Sequence, residues 1–225
     1  RPDLQVLRGL DLDTSSLCFF GAIAHMPLAE ATSIVAIAPI LIALAAVRWL
    51  GEKAPPGTGV SLVLSFLGVL LIVRPGTALF GWAAVLPLAT AMFVTGYQLL
   101  TRRLNGEDDG VATLFIGAVV VTVVLSAIMP WYWVAPRSWF DMALFVATGA
   151  IGAGGHWLLV RAYAHASAAA LAPYGYAHAV MSLPMGYLVF DNFPDRIALA
   201  GMAIIVATGV WMATRRRLKV EPIED

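Results

Sequence analysis

Ala24-His25-Met26-Pro27-Leu28-Ala29-Glu30-Ala31 and Ala164-His165-Ala166-Ser167-Ala168-Ala169-Ala170-Leu171 are the two stretches that decide how this chain folds. Each is an Ala-His pair that opens a short hairpin between two long apolar segments. Farther on, Gly68-Val69 lies in the apolar run that follows the first hairpin unit, and Gly209-Val210 lies in the run that follows the second. The last three apolar segments therefore read as a diverged copy of the first three. Apolar segments of about 20 residues, the length that crosses a bilayer, fall near 9–26, 31–49, 58–74, 79–101, 111–131, 139–162, 168–190 and 196–214. Asp11 and Asp13 interrupt the start of the first. Equivalent members of the two copies are five segments apart, an odd number, so the copies cross the membrane in opposite senses.

Composition supports a lipid solvent. Of 225 residues, 60% are hydrophobic and 12% charged, with a mean hydropathy of +0.82, whereas soluble domains run near ~45–50% and ~25%. The zero net charge gives no sign of a nucleic-acid partner. Cys18 is alone, so no intramolecular disulfide forms. The chain starts at Arg1-Pro2-Asp3 with no secretory leader, which reads as a truncated start.

Basic residues set the expected orientation, because Lys and Arg gather on cytoplasmic ends. With the N-terminal end inside, Arg1, Arg8, Arg48, Lys53, Arg102, Arg103, Arg161, Arg215, Arg216, Arg217 and Lys219 lie inside, and only Arg74, Arg137 and Arg196 lie outside. The C-terminus is then cytoplasmic. Trp82, Trp131, Trp133 and Trp139 fall at the outer interface, where indole rings anchor helices.

Inverted repeats are a property of secondary transporters, whose solute path runs between the repeats. The residues also carry a family pattern. Leu7-Arg8-Gly9, Pro27-Leu28-Ala29-Glu30-Ala31-Thr32, Pro39, Leu50-Gly51-Glu52 and Phe66 to Gly76 resemble the EamA repeat. Ala168 to Pro173, Tyr176, Phe190 to Pro194 and Ala207-Thr208-Gly209 resemble its partner. Asp11, Asp13 and Asp191-Asn192 depart from the pattern. The resemblance implies the drug/metabolite transporter superfamily: an all-α polytopic membrane protein of ten helices in two inverted five-helix repeats. On that reading this chain holds eight of the ten. Residues 1–76 are the last three helices of the first repeat, 79–217 are the five of the second, and 218–225 are a cytoplasmic tail. The central cavity is then expected to be open on the flank of the two helices not present.

Several side chains are candidates for a substrate cavity. His178 falls near the middle of the seventh span, where a polar group is costly unless it faces a wet interior. In a continuous helix Tyr174 and Ser182 share its face. Tyr176 matches the family aromatic after Pro173. His156 follows Gly149, Gly152, Gly154 and Gly155, a smooth stretch suited to close helix approach. Tyr97 and Gln98 lie toward the cytoplasmic end of the fourth span, where the family resemblance implies an inner vestibule. Each histidine has the alternative role of hydrogen-bonded packing between helices. Pro39, Pro87 and Pro184 are candidate kinks that free backbone carbonyls within the membrane. Glu30 and Glu52 read as helix-end groups.

No P-loop, zinc set or hydrolase motif is present in the sequence, so neither a metal nor a cofactor is expected. The expected function is secondary transport of small organic metabolites across a bacterial inner membrane. The partners are a small-molecule substrate and the lipid bilayer, and a homodimer stands as one candidate assembly. The competing class is a membrane-embedded enzyme or lipid-handling scaffold. With no basic residue expected at mid-membrane, sugar phosphates are disfavoured as cargo.

Overall fold

A computed structural model describes residues 1–26, 28–73, 82–105, 109–177, 180–181 and 195–217, with the side chains of Ala29, Glu30, Ser33, Val73, Ala213 and Arg215–Arg217 left out of the description. Among these residues the secondary structure is helical, without strands. The helices are α1 (Pro2–Ile23), α2 (Leu28–Val35), α3 (Ala38–Trp49), α4 (Thr58–Val73), α5 (Val85–Leu104), α6 (Gly110–Tyr132), α7 (Trp139–His165), α8 (Ala168–Leu171) and α9 (Arg196–Arg217). A 3-10 turn, Trp82–Ala84, leads into α5, and another, Ala172–Tyr176, continues α8.

Trp82–Leu104, Gly110–Tyr132 and Trp139–His165 are each long and apolar enough to cross a membrane unaided. Their outward faces carry Phe115, Val123, Phe145 and Ile151, all more than half exposed, as a lipid solvent requires. The interior is dominated by small side chains. Ala43, Ala46, Ala91, Ala168, Ala169 and Ala172 meet Ile42, Leu62, Tyr163 and Ile205 in one cluster, the composition that lets membrane helices approach closely.

Three expectations change. The second span is two helices, because Pro39 has no N–H to give the carbonyl of Val35. Ile37 and Ile40 bond three residues back, to Ile34 and Ile37, instead of four. The seventh span likewise starts as a single α turn and tightens into a 3-10 turn over Pro173; the face that Tyr174 was expected to share with residues 178 and 182 lies outside the described residues. The first helix starts at Pro2 rather than near residue 9. Gln5, Arg8 and Asp13 lower its hydropathy but are buried against neighbouring helices.

Direction alternates along the chain. Hydrogen bonds tie the start of α1 to the end of α5 and the start of α6, through Arg8, Thr101 and Thr113. Others tie the segment after α3 to the end of α5 and the start of α8, through Glu52, Arg102 and Ala169. One end of the bundle thus collects Arg8, Arg48, Arg102 and Arg161. At the other end, the rings of His25 and Trp82 pack with centroids 5.0 Å apart.

α4 and α9 form the tightest crossing. Ser65 Oγ and Thr208 Oγ1 share a hydrogen bond of 2.7 Å. A Cβ added at Gly68 would stand 2.8 Å from the carbonyl oxygen of Gly201, and one at Gly201 would stand 2.5 Å from that of Gly68. Gly57, at φ +92, lies under the Trp211 ring. Contacts at 57 with 211, 65 with 208 and 68 with 201 run in opposite order, so the helices are antiparallel.

α7 starts from a reciprocal cap. Asp141 N–H donates to Ser138 Oγ, and Ser138 N–H donates to Asp141 Oδ2, both at 3.1 Å. Replacing Ser138 with alanine should lower stability by about 1 kcal/mol, read as a small drop in the thermal midpoint.

Candidate functional site

A cavity of about 330 Å³ opens where the α2–α3 break meets the 3-10 turn after α8. Val35, Ala36, Pro39 and Ile42 form one wall, Val94 and Gln98 of α5 a second, and Leu159, Ala162 and Tyr163 of α7 a third. Leu171, Ala172, Tyr174 and Gly175 complete it. Gly175 is needed here: a Cβ at that position would lie 3.2 Å from Pro39 Cγ. Two interrupted segments, each marked by a proline, therefore meet at one hollow. Non-helical backbone at membrane depth is tolerated where it lines such a cavity.

Polarity in the wall is sparse. Gln98, Tyr163 and Tyr174 supply it, and no charged side chain lines the cavity among the described residues. Tyr163 O–H donates to Gln98 Oε1. Tyr163 was not among the sequence candidates, although its position seven residues after His156, two turns along α7, puts both on one face.

At the basic end a polar latch sits directly beside the cavity. Glu52 Oε1 accepts from Arg102 Nε at 2.7 Å, and Glu52 Oε2 accepts from the Ala169 N–H at 3.0 Å. Arg102 Nη1 donates to the Tyr163 carbonyl at 2.6 Å. The Glu52 side chain is 10% exposed and that of Arg102 is 31% exposed. Glu52 is therefore more than a helix-end group: it joins α5 and α8.

A second polar centre surrounds Arg8, which is 2% exposed. Its Nε donates to Thr101 Oγ1 at 2.8 Å, Nη1 to the Thr113 carbonyl at 3.1 Å and Nη2 to Tyr97 Oη at 3.1 Å. The guanidinium carbon lies 4.7 Å from the Tyr97 ring centroid, within cation–π range. Gly117 leaves room for it, since a Cβ there would stand 2.7 Å from Nη1. Tyr97 Oη also lies 2.8 Å from His156 Nδ1. Arg8 thus leaves the flanking set to which its sequence position assigned it. The recurrence of polar residues at 5, 8, 11 and 13 where an apolar span begins was the available signal.

The sequence candidates divide clearly. Tyr174 and Gln98 share the cavity, whereas Tyr97 and His156 meet each other and Arg8. Tyr176 is wholly buried, with no partner for its hydroxyl among the described residues. His178, Ser182 and Pro184 lie outside the described residues. Pro39 marks the break itself. Pro87 stands in the first turn of α5, where a backbone N–H would have no intrahelical partner, and α5 runs on unbroken. Among the described residues, a Cβ at Gly149, Gly152, Gly154 or Gly155 would meet nothing within 4 Å, and α7 buries Val160 and Tyr163. Three or more metal-ligating side chains do not cluster anywhere among the described residues.

Known proteins match this architecture. Residues 14–74 match the model of the EamA-like transporter family. The chain is 29% identical over 215 residues to a pseudopaline exporter of Pseudomonas aeruginosa, covering 95% of this chain and 76% of that protein. It is 26% identical over 212 residues to an S-adenosylmethionine uptake transporter of Rickettsia conorii, covering 94% and 72%. A crystal structure superposes with a TM-score of 0.79 at 19% identity, over 96% of this chain and 77% of that one. The apolar helices suit a multi-pass membrane protein, and the relatives over nearly the whole chain are named transporters. The match to the EamA-like transporter family falls on the first part of the chain, and the likeness to the two named transporters runs over nearly all of it.

Proposed function

We propose that this chain carries small organic metabolites across a bacterial inner membrane by secondary transport, with the cavity at the α2–α3 break as the solute site. The observation that carries this reading is the meeting of two interrupted segments around a sparsely polar hollow, the arrangement in which transporters hold cargo between repeats. Residues 1–76 and 79–217 then act as parts of two inverted repeats that rock about the cavity. The basic end faces the cytoplasm, and the C-terminal tail lies on that side. Relatives named as an exporter and as an uptake transporter support solute transport without fixing its direction. Gln98, Tyr163 and Tyr174 contact the cargo, and His178 and Ser182 remain cargo-contact candidates from the sequence. The uncharged lining favours amphipathic or zwitterionic solutes.

The test is flux. The full chain in liposomes should take up S-adenosylmethionine, or another metabolite from an amphipathic panel, with saturable kinetics. Gln98→Leu should cut that flux about tenfold, the loss of one buried polar contact worth about 1.4 kcal/mol. If neither flux nor binding is found across the panel, the reading fails. Unchanged flux in His178→Ala removes that histidine from the cargo-contact candidates.

A further inference from the structure

We propose that Gln98 sets the specificity of the cavity. Tyr163 holds its amide so that the N–H₂ branch meets the cargo, and the cargo presents a carbonyl-type oxygen to it. This inference rests on the transport reading and names the chemistry of the solute that the cavity takes.

A glutamine amide has a donor branch and an acceptor branch, and either can face a ligand. Here Tyr163 decides which. Its side chain is 1% exposed, and its own backbone is pinned, because its carbonyl accepts from Arg102 Nη1 at 2.6 Å. Its O–H donates to Gln98 Oε1. The oxygen is thereby engaged, and the N–H₂ branch is left over. Gln98 is half-buried and lines the cavity, and Nε2 has no hydrogen-bond partner among the described residues. Unlike the Tyr176 hydroxyl, which is sealed from any approach, Nε2 keeps access to the hollow. The Tyr174 hydroxyl is also half-buried in the lining and without a partner among the described residues. The groups left unpaired are therefore chiefly donors: both N–H of Gln98 and the O–H of Tyr174. A carbonyl-type oxygen of the cargo takes a Gln98 N–H, while the apolar body lies on Pro39, Ile42, Val94 and Leu159. A solute that brings an ammonium or another N–H to the same place sets donor against donor and leaves both unpaired, which is the costly outcome. Gln98 thus selects by mismatch as well as by match.

The test compares two probes with the same ring and methyl groups. The polar group of N,N-dimethylbenzamide only accepts, and that of N,N-dimethylbenzylammonium only donates. Saturation-transfer NMR on the full chain in phosphatidylcholine nanodiscs reads both dissociation constants, with the signal of empty nanodiscs subtracted. The benzamide should bind at least about fivefold tighter, the worth of one hydrogen bond. Gln98→Glu, in its charged form, still accepts from Tyr163 but replaces the donor branch with an acceptor, so the order of the probes should reverse. Tyr163→Phe keeps the ring and lets the amide turn, so the preference should fall below about twofold while the benzamide still binds. A merely structural role for Tyr163 would weaken both probes alike and leave their ratio unchanged. Tyr163→Phe decides the matter where Gln98→Glu does not fold. Equal binding of the probes by the unmodified chain, an unchanged order in Gln98→Glu, or an unchanged ratio in Tyr163→Phe overturns the proposal and leaves the transport reading standing. Binding of neither probe overturns it as well, and flux of the metabolite panel then judges the transport reading separately.

Discussion

Gly201→Leu should abolish the stable fold, whereas Gly209→Leu, two turns along the same helix, should leave it nearly unchanged. Gly201 packs with its backbone against the backbone of Gly68, and an added Cβ would also fall 3.0 Å from Ile72 Cγ1 and 3.1 Å from Leu71 Cβ. A flexible side chain can give way, but a helix carbonyl can do so only if the helices separate. Separation would also break the Ser65–Thr208 hydrogen bond. Overpacking costs about 1–3 kcal/mol when side chains can rearrange, and here about 3 kcal/mol or more is expected. Gly209 has nothing within 4 Å, so its substitution should fall within about 0.5 kcal/mol. Fluorescence-detected size-exclusion after a temperature ramp checks both. Equal midpoints for the two variants would show that the α4–α9 crossing relaxes freely.

Glu52→Gln should open the cavity toward the basic end. One carboxylate holds two elements there: one oxygen takes Arg102 and the other takes the Ala169 N–H. The amide keeps the shape but loses the charge, and it presents an N–H₂ where an acceptor is needed. A charge-assisted bond of this kind is worth about 1.5–3 kcal/mol, and 2 kcal/mol corresponds to about a 30-fold change in an equilibrium. The change should appear locally, because Tyr163, Leu171 and Ala172 line the cavity and belong to the elements that the latch holds. In a Cys18→Ala background, Ala162→Cys should react with an impermeant maleimide at least fivefold faster once Glu52 is glutamine. An unchanged rate would make the ion pair a static fastening rather than a closure.

Much of the architecture could be read from residue order. Apolar segment lengths located α4 to α7 and α9 closely, because those helices face lipid on one side and report their burial through hydropathy. The start of α1 was hidden by the residues that make it interesting. Gln5, Arg8 and Asp13 read as water-facing in a hydropathy count, yet all three are buried, and the partners of Gln5 and Arg8 on α5 and α6 lie some 90 to 110 residues away. The break before Pro39 was legible as a proline, but not its position or the way it meets Gly175. Gln98 and Tyr174 were legible as polar side chains in apolar spans. Tyr163 was not, because its role comes from Gln98 across the α5–α7 interface. The Glu52 latch was invisible for the same reason, since nothing in Gly51-Glu52-Lys53 announces Arg102.

Neighbouring residues of α5 reach α7 at two heights. Tyr97 meets His156, and Gln98 meets Tyr163 two turns farther on, about 10 Å along the helix. Two rungs at different heights fix the register of the pair, because sliding α7 along α5 would break both at once. Turning about the line that joins them stretches neither. The permitted movement of α7 is therefore a swing on two pins, like a door on its hinges.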